Sequence, residues 1–438
     1  MLFNSFMLAL AFSAPAQQAP IVPVGNYHAH MKSEASARLL EVPRLPAVDL
    51  PAQLVPLIRA FEAAQKSGDP AAFGALFTPD GFYRQPTGWV RGRLRIEAAR
   101  IDESPQDLRV RPHQMTLGDS TATIIASFAD SAGDRDVARA TFTLARGPDG
   151  RWLIASLLRE DRPESTGPKV FGARELIAQL DSAGIRKALV LSAAYWFGSA
   201  LMPGSQTDLP IDEEYARVRA ENDWVVSETA KYPTRLYAYC SFNPLKSYAL
   251  AEVERCSGIK GVHGIKLHLA NSQVDLRSPT DVAKVRGVFA AANAKRLPIV
   301  VHMRPRLQPY GRQDVELFIR EVLTAAPAIP IQIAHFAGWG GYDDSTDAAI
   351  GAFIDAIAAK NPAVSKVTYD LTLVVFQDQE PERRRRIAER VRQVGLQRVV
   401  YGSDLVDPKA NWAEILRALP LTRAEFRTMA ANVSPLLR

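Results

Sequence analysis

From residue 169 onward, short apolar runs rich in β-branched residues alternate with segments of helical spacing. The runs fall at 187–192, 235–242, 262–269, 297–303, 330–336, 364–371 and 397–403. Between them lie amphipathic stretches such as 213–231, 281–295, 313–326 and 381–395. Strand–helix alternation of this kind builds parallel βα units. An eighth apolar run, 21–31, stands near the N-terminus, and eight strands with intervening helices predict a (β/α)8 TIM barrel.

The interval after the first strand breaks the pattern. It runs from about residue 47 to 162, far beyond the 2–6 residues of an ordinary βα loop. It has structure of its own. Residues 54–66 have helical spacing, 69–77 read as a second short helix, and strand-like runs follow at 122–128, 138–145 and 152–158. Gly147-Pro148-Asp149-Gly150 is a turn between the last two. The segment is therefore predicted to be an inserted α+β domain, and its element order resembles the SnoaL-like cone fold. The expected organisation is a leader at 1–16, a barrel from 17–46 and 163–438, and the insert at 47–162.

Composition narrows the classes. With 47% hydrophobic and 23% charged residues in 438, the chain is globular rather than disordered or fibrous. Residues 7–12 (MLALAF) followed by Ser13-Ala14-Pro15-Ala16 have the form of a secretory signal cut after Ala16, although 1–6 lack a basic residue. Export to the periplasm or outside is expected, a cytoplasmic location being the alternative. No later apolar run is long enough to span a membrane. The charge of +6, from 53 Lys+Arg and 47 Asp+Glu, is mild. Its one basic run, Arg383–Arg386, lies on an amphipathic helix without interleaved aromatics, so no nucleic-acid partner is expected. Cys240 and Cys256 form no C-x-x-C pair and read as two buried free thiols, pairing in an oxidising periplasm being the alternative.

The chemistry is carried by histidine. Of seven, six fall in barrel strands. His28 and His30 form an H-x-H whose rings share one face of a strand. His268, His302 and His335 each close an apolar run, and Asp404 follows the eighth. In a barrel these positions meet at the C-terminal face, where such enzymes work. One such histidine is ordinarily a packed core residue; bulk packing does not place ionisable groups at the ends of five strands. Imidazoles with a carboxylate suit a divalent metal such as Zn2+, with Mn2+ or Fe2+ as alternatives.

H-x-H after strand one, His302 in PIVVHM, His335 in IAHFAG and Asp404 in YGSD resemble the amidohydrolase superfamily. Asn222-Asp223-Trp224, Tyr232-Pro233 and Ser241–Pro244 (SFNP) are similar to its amidohydrolase-related branch, which includes aminocarboxymuconate-semialdehyde decarboxylase and several lactonases. The sequence departs in carrying Asn26 where that family commonly has Asp. The resemblance implies that His28, His30, His302 and Asp404 bind one metal, which would acidify a bound water and polarise a substrate carbonyl. It implies His335 as general base and Asp404 as ligand and proton acceptor. Lys266, on the same strand face as His268, is a substrate contact or, alternatively, a carboxylated bridge to a second metal; one metal is expected. His268 and Arg304, with Arg306, are expected to meet a substrate carboxylate. Tyr195, Trp196 and Trp339 are candidates for the pocket wall, and His113 in the insert is read as structural.

The expected function is metal-dependent hydrolysis of a lactone, ester or amide of a small, anionic, carboxylate-bearing compound. The alternatives are a non-oxidative decarboxylase on the same site and a catalytically silent protein with a structural metal. The insert is expected to cap the mouth or mediate a homodimer.

Overall fold

The structure, a computed structural model, describes residues 19–40, 46–85, 88–101, 105–130, 136–161, 170–202, 205–305, 310–339, 341–377 and 379–437. The leader reading at 1–16 and Arg306 lie outside those residues.

Strand β1 (Gly25–Ala29) opens the barrel. Six insert strands follow: β2 (Phe77–Gln85), β3 (Gly88–Arg91), β4 (Leu108–Leu117), β5 (Thr121–Asp130), β6 (Asp136–Arg146) and β7 (Trp152–Asp161). The barrel then resumes with β8 (Lys187–Leu191), β9 (Leu236–Ser241), β10 (Val262–His268), β11 (Ile299–His302), β12 (Ile331–Ile333), β13 (Val367–Asp370) and β14 (Val399–Val400). Its eight strands pair in parallel in the order β1-β8-β9-β10-β11-β12-β13-β14. A parallel bridge between Ala29 and Asp404 joins the last strand's end to the first, closing the sheet. The strands are mostly apolar because helices cover the outside while Tyr27, Leu189, Tyr239, Val300 and Val400 fill part of the interior.

Helix ends explain the loop chemistry. Ser278 and Asp407 each accept a backbone hydrogen bond as N-cap, with proline in the first turn after both. Around the rest of the barrel run helices at Ile211–Thr229, Asp344–Ala358 and Pro381–Val394. The predicted helix at 313–326 is regular only over Arg312–Leu317, then widens into a π turn.

The insert has a separate core. Its sheet, ordered β3-β2-β7-β6-β5-β4, buries alternate residues, Ile124, Ala126 and Phe128 on β5 and Ala140, Phe142 and Leu144 on β6. Those side chains pack on Phe61 and Phe73 from the helices Val55–Ser67 and Pro70–Gly74. Where the insert leaves and rejoins the barrel, Lys32 and Phe171 exchange two backbone hydrogen bonds of 2.9 Å. That two-residue clasp lets a long insertion interrupt the first βα loop without prying the barrel open.

One expectation is corrected. Cys240 and Cys256 are not free thiols; they form a disulfide between the end of β9 and the last turn of the helix Ala249–Ser257. The helix folds back on the strand it leaves, bringing two Cα atoms 16 residues apart in sequence to 6.5 Å.

Candidate active site

The barrel places its polar groups in layers. On β10, Lys266 and His268 alternate with apolar neighbours; on β11, Val300 and His302 do the same. Register pairs Lys266 with Val300 and His268 with His302. The second pair stacks at 3.9 Å between ring centroids, and Tyr195 stacks on His268 at 4.8 Å. Trp339 sets its edge against His302 at 4.9 Å and His268 at 5.7 Å. An aromatic wall therefore rises beside His302.

His28, His335 and Asp404 bring their ligand atoms within 4.8 Å of one another. The His30 Nε2 lies 3.5 Å from Asp404 Oδ1, and the His28 Nε2 lies 4.0 Å from the same oxygen. His302 joins the group through His335, with ring centroids 4.8 Å apart. Sequence position thus brings together His28, His30, His302, His335 and Asp404. The tightest triad contains His335.

Backbone geometry aims these groups. β12 ends at Ile333, so His335 lies beyond the strand, not within it as its apolar run predicts. His335, Phe336 and Ala337 take left-handed conformations, with φ of 54°, 52° and 65°. Asp404 does the same at φ 58°, with its N–H donating to the His28 carbonyl at 2.6 Å. Such torsions cost energy and concentrate where side chains must be re-aimed. Gly402 is needed for a different reason. A Cβ there would lie 2.6 Å from the Cβ of His28 and 2.2 Å from the Thr372 hydroxyl, so only glycine lets the strands close at this point.

Electrostatics keep the rings neutral. Burial drives the pKa of His30 down to about 3 and of His335 to about 4, and that of His302 well below its usual value. Neutral imidazoles have the lone pairs that metal binding or base catalysis requires. Burial pushes the Asp404 carboxyl up, but the neighbouring His28, His30 and His335 outweigh it and hold the pKa below the usual range. Burial also lowers Lys266, to about 8.

Two polar groups, Asp370 and Asp343, escaped the sequence reading, and Asn26, singled out there, acquires a place. Asp370, at the end of β13, accepts from His28, Gln332 and the backbone of His335. Its position, last in an apolar strand, is the signal that marked His302. Asn26 bridges β1 to the loop after β14: its amide donates to Ser403 Oγ at 2.7 Å and its oxygen accepts from the Ser403 and His28 N–H groups. An amide can donate and accept at once, which an ionised Asp cannot. Asp343 claims Arg304. The guanidinium makes a bidentate pair at 2.9 and 2.8 Å and a further bond to Thr346, so this fork is already occupied by an acid. Trp89, on β3 of the insert, lies against the same guanidinium, 6.0 Å from ring centroid to Cζ.

Of the remaining candidates, Trp196 is buried beside Tyr195. His113 bonds Ser127 at 2.6 Å and the Pro46 carbonyl at 3.0 Å, away from the site.

A family model described as "Amidohydrolase" matches residues 124–428. No curated protein matches the chain. Among solved structures, it is similar to 5-carboxyvanillate decarboxylase from Sphingomonas paucimobilis, at 16% identity and TM-score 0.38, covering 58% of this chain and 79% of that one. It is also similar to 2,6-dihydroxybenzoate decarboxylase from Rhizobium, at 13% identity and TM-score 0.37, covering 58% and 84%. A shorter stretch is similar to a candidate ketosteroid isomerase from Parabacteroides distasonis, at 20% identity and TM-score 0.23, covering 28% and 96%.

Proposed function

We propose, from the premise that this chain belongs to the amidohydrolase family, that it is a metal-dependent hydrolase of a lactone, ester or amide. One observation carries the reading. Donor atoms of His28, His335 and Asp404 converge within 4.8 Å, beside a His302 whose two ring nitrogens are buried without a hydrogen-bond partner among the described residues. Buried polar atoms are almost always satisfied, so an orphaned imidazole in such company fits an ion. His28, His30, His302 and Asp404 would hold it. A bound divalent ion, Zn2+ foremost, supplies positive charge that acidifies water and polarises a carbonyl.

The chain's own groups do the rest. The His335 Nδ1 faces the Thr372 carbonyl at 2.8 Å, which can only accept, so the proton sits on Nδ1 and Nε2 is free to take one from water. Asp404, ionised, is a second acceptor. Tyr195, His268 and Trp339 flank the acyl group, and the buried Lys266 ammonium, without a hydrogen-bond partner among the described residues, meets the substrate's carboxylate. Arg304 acts indirectly, by fixing the loop that carries Asp343.

A second reading is non-oxidative decarboxylation. The aromatic wall beside His302 favours it, since a planar acid would lie flat there with its carboxylate towards the ion. Screening lactones, esters, amides and aromatic acids with Zn2+ or Mn2+ separates the two. Acid release without carbon dioxide supports hydrolysis, and carbon dioxide release from an aromatic acid replaces it with the second reading. We also place the protein in the periplasm or outside the cell, where the Cys240–Cys256 disulfide persists. Cell fractionation with thiol labelling tests this, and reduced cysteines in a cytosolic fraction contradict it.

A further inference from the structure

Asp370 is fully buried, yet both of its oxygens are accounted for. One oxygen, Oδ1, accepts from two backbone groups, the His335 N–H at 2.9 Å and the Thr372 N–H at 3.2 Å. The other, Oδ2, accepts from Gln332 Nε2 at 2.8 Å and lies 3.2 Å from His28 Nδ1. Gln332 is anchored in turn by the Tyr27 carbonyl at 2.9 Å.

This arrangement has a definite polarity. Ionised Asp370 offers no proton, so the His28 Nδ1 must donate, and the neutral ring keeps its lone pair on Nε2, the nitrogen facing Asp404. Two residues on, the Thr372 carbonyl imposes the same tautomer on His335. The carboxylate also ties down the backbone of His335 within its left-handed turn. One short segment, 370–372, therefore sets which nitrogen two different rings turn towards the same point.

We propose that Asp370 is a positioning residue that selects the Nδ1–H tautomer of His28 and seats the His335 turn, leaving the bare Nε2 of His28 for a divalent cation and that of His335 for a proton from water. The inference rests on the metal-centre reading above. It makes a prediction that size and packing do not. In Asp370→Asn the amide oxygen stays with the two backbone N–H donors, which cannot be turned round. The new NH2 group must then face His28 Nδ1 and donate to it. The ring answers by moving its proton to Nε2, where it blocks the ion. Asp370→Ala leaves His28 free to choose. The near-isosteric Asn is therefore the more damaging replacement.

The test uses full-length protein labelled with 15N-histidine, with His28 assigned from a His28→Gln spectrum. In the metal-free wild type His28 is protonated on Nδ1, and in Asp370→Asn on Nε2. Loss of an outer partner weakens metal binding about 10- to 100-fold. Zn2+ and Mn2+ competition titrations are expected to put Asn near the upper end of that range and Ala near the lower. Persistence of Nδ1–H in Asp370→Asn, or an Ala variant that binds metal more weakly than Asn, overturns the proposal. If Ala does not fold, the tautomer in Asn decides. A wild type that binds neither ion contradicts the metal-centre reading, while the tautomer comparison still judges Asp370.

Discussion

His30, His302 and His335 are all held below their ordinary pKa by burial, and this sets how the protein meets acid. A histidine whose folded pKa is depressed takes up a proton on unfolding between its folded and unfolded values. Its neutral form therefore stabilises the fold fully above about 6.5, and that stability drains away as pH falls towards the folded pKa. For a group at about 4, as His335 is, the loss by pH 5 is about 2 kcal/mol. Asp370 and Asp404, held below the carboxylate range, add a further loss below about pH 4 with the same sign. Denaturant titrations of metal-free protein should show stability falling steadily from pH 7 to 5; a flat profile there contradicts neutral burial of these rings. The histidines were legible from sequence because strand alternation gives residues at strand ends a common destination. Asp370 and the Arg304–Asp343 pair were not, since a partner's identity depends on which loops meet across the mouth.

At the scale of elements, strands with long apolar runs were readable and the backbone turns at their mouth ends were not. β12 is three residues long and β14 two, each shorter than the apolar run that contains it. The backbone turns left-handed soon after both, at 335–337 and 404, a departure that side-chain hydrophobicity does not encode. Ala337, at φ 65°, occupies a conformation that favours glycine. Ala337→Gly should accordingly be neutral or stabilising by about 1 kcal/mol in chemical denaturation. A loss of more than about 1 kcal/mol would mean the turn is held by the alanine methyl instead. The disulfide ranks only second from sequence for a related reason. Cys256 follows Cys240 by one helix, and only the fold-back of that helix on its strand makes them neighbours.

Across the whole molecule, the opening alternation and its one long interruption correspond to separate cores, the barrel's two clusters and the insert's own. The insert is not remote from the mouth. Trp89 lies against Arg304, in the loop after β11, and Arg95 pairs at 3.6 Å with Asp344, the first residue of the helix that follows the His335 turn. Removing 47–162 and joining the ends should alter steady-state kinetics on the substrate found by screening. Unchanged kinetics together with an unchanged oligomeric state would deny the insert any part in the mouth. The most direct check on the metal centre itself is elemental analysis of purified wild type beside His302→Ala. The proposed ligand set predicts about one divalent ion per chain in the wild type and, in the variant, loss of both ion and activity; a variant with full metal content would contradict it.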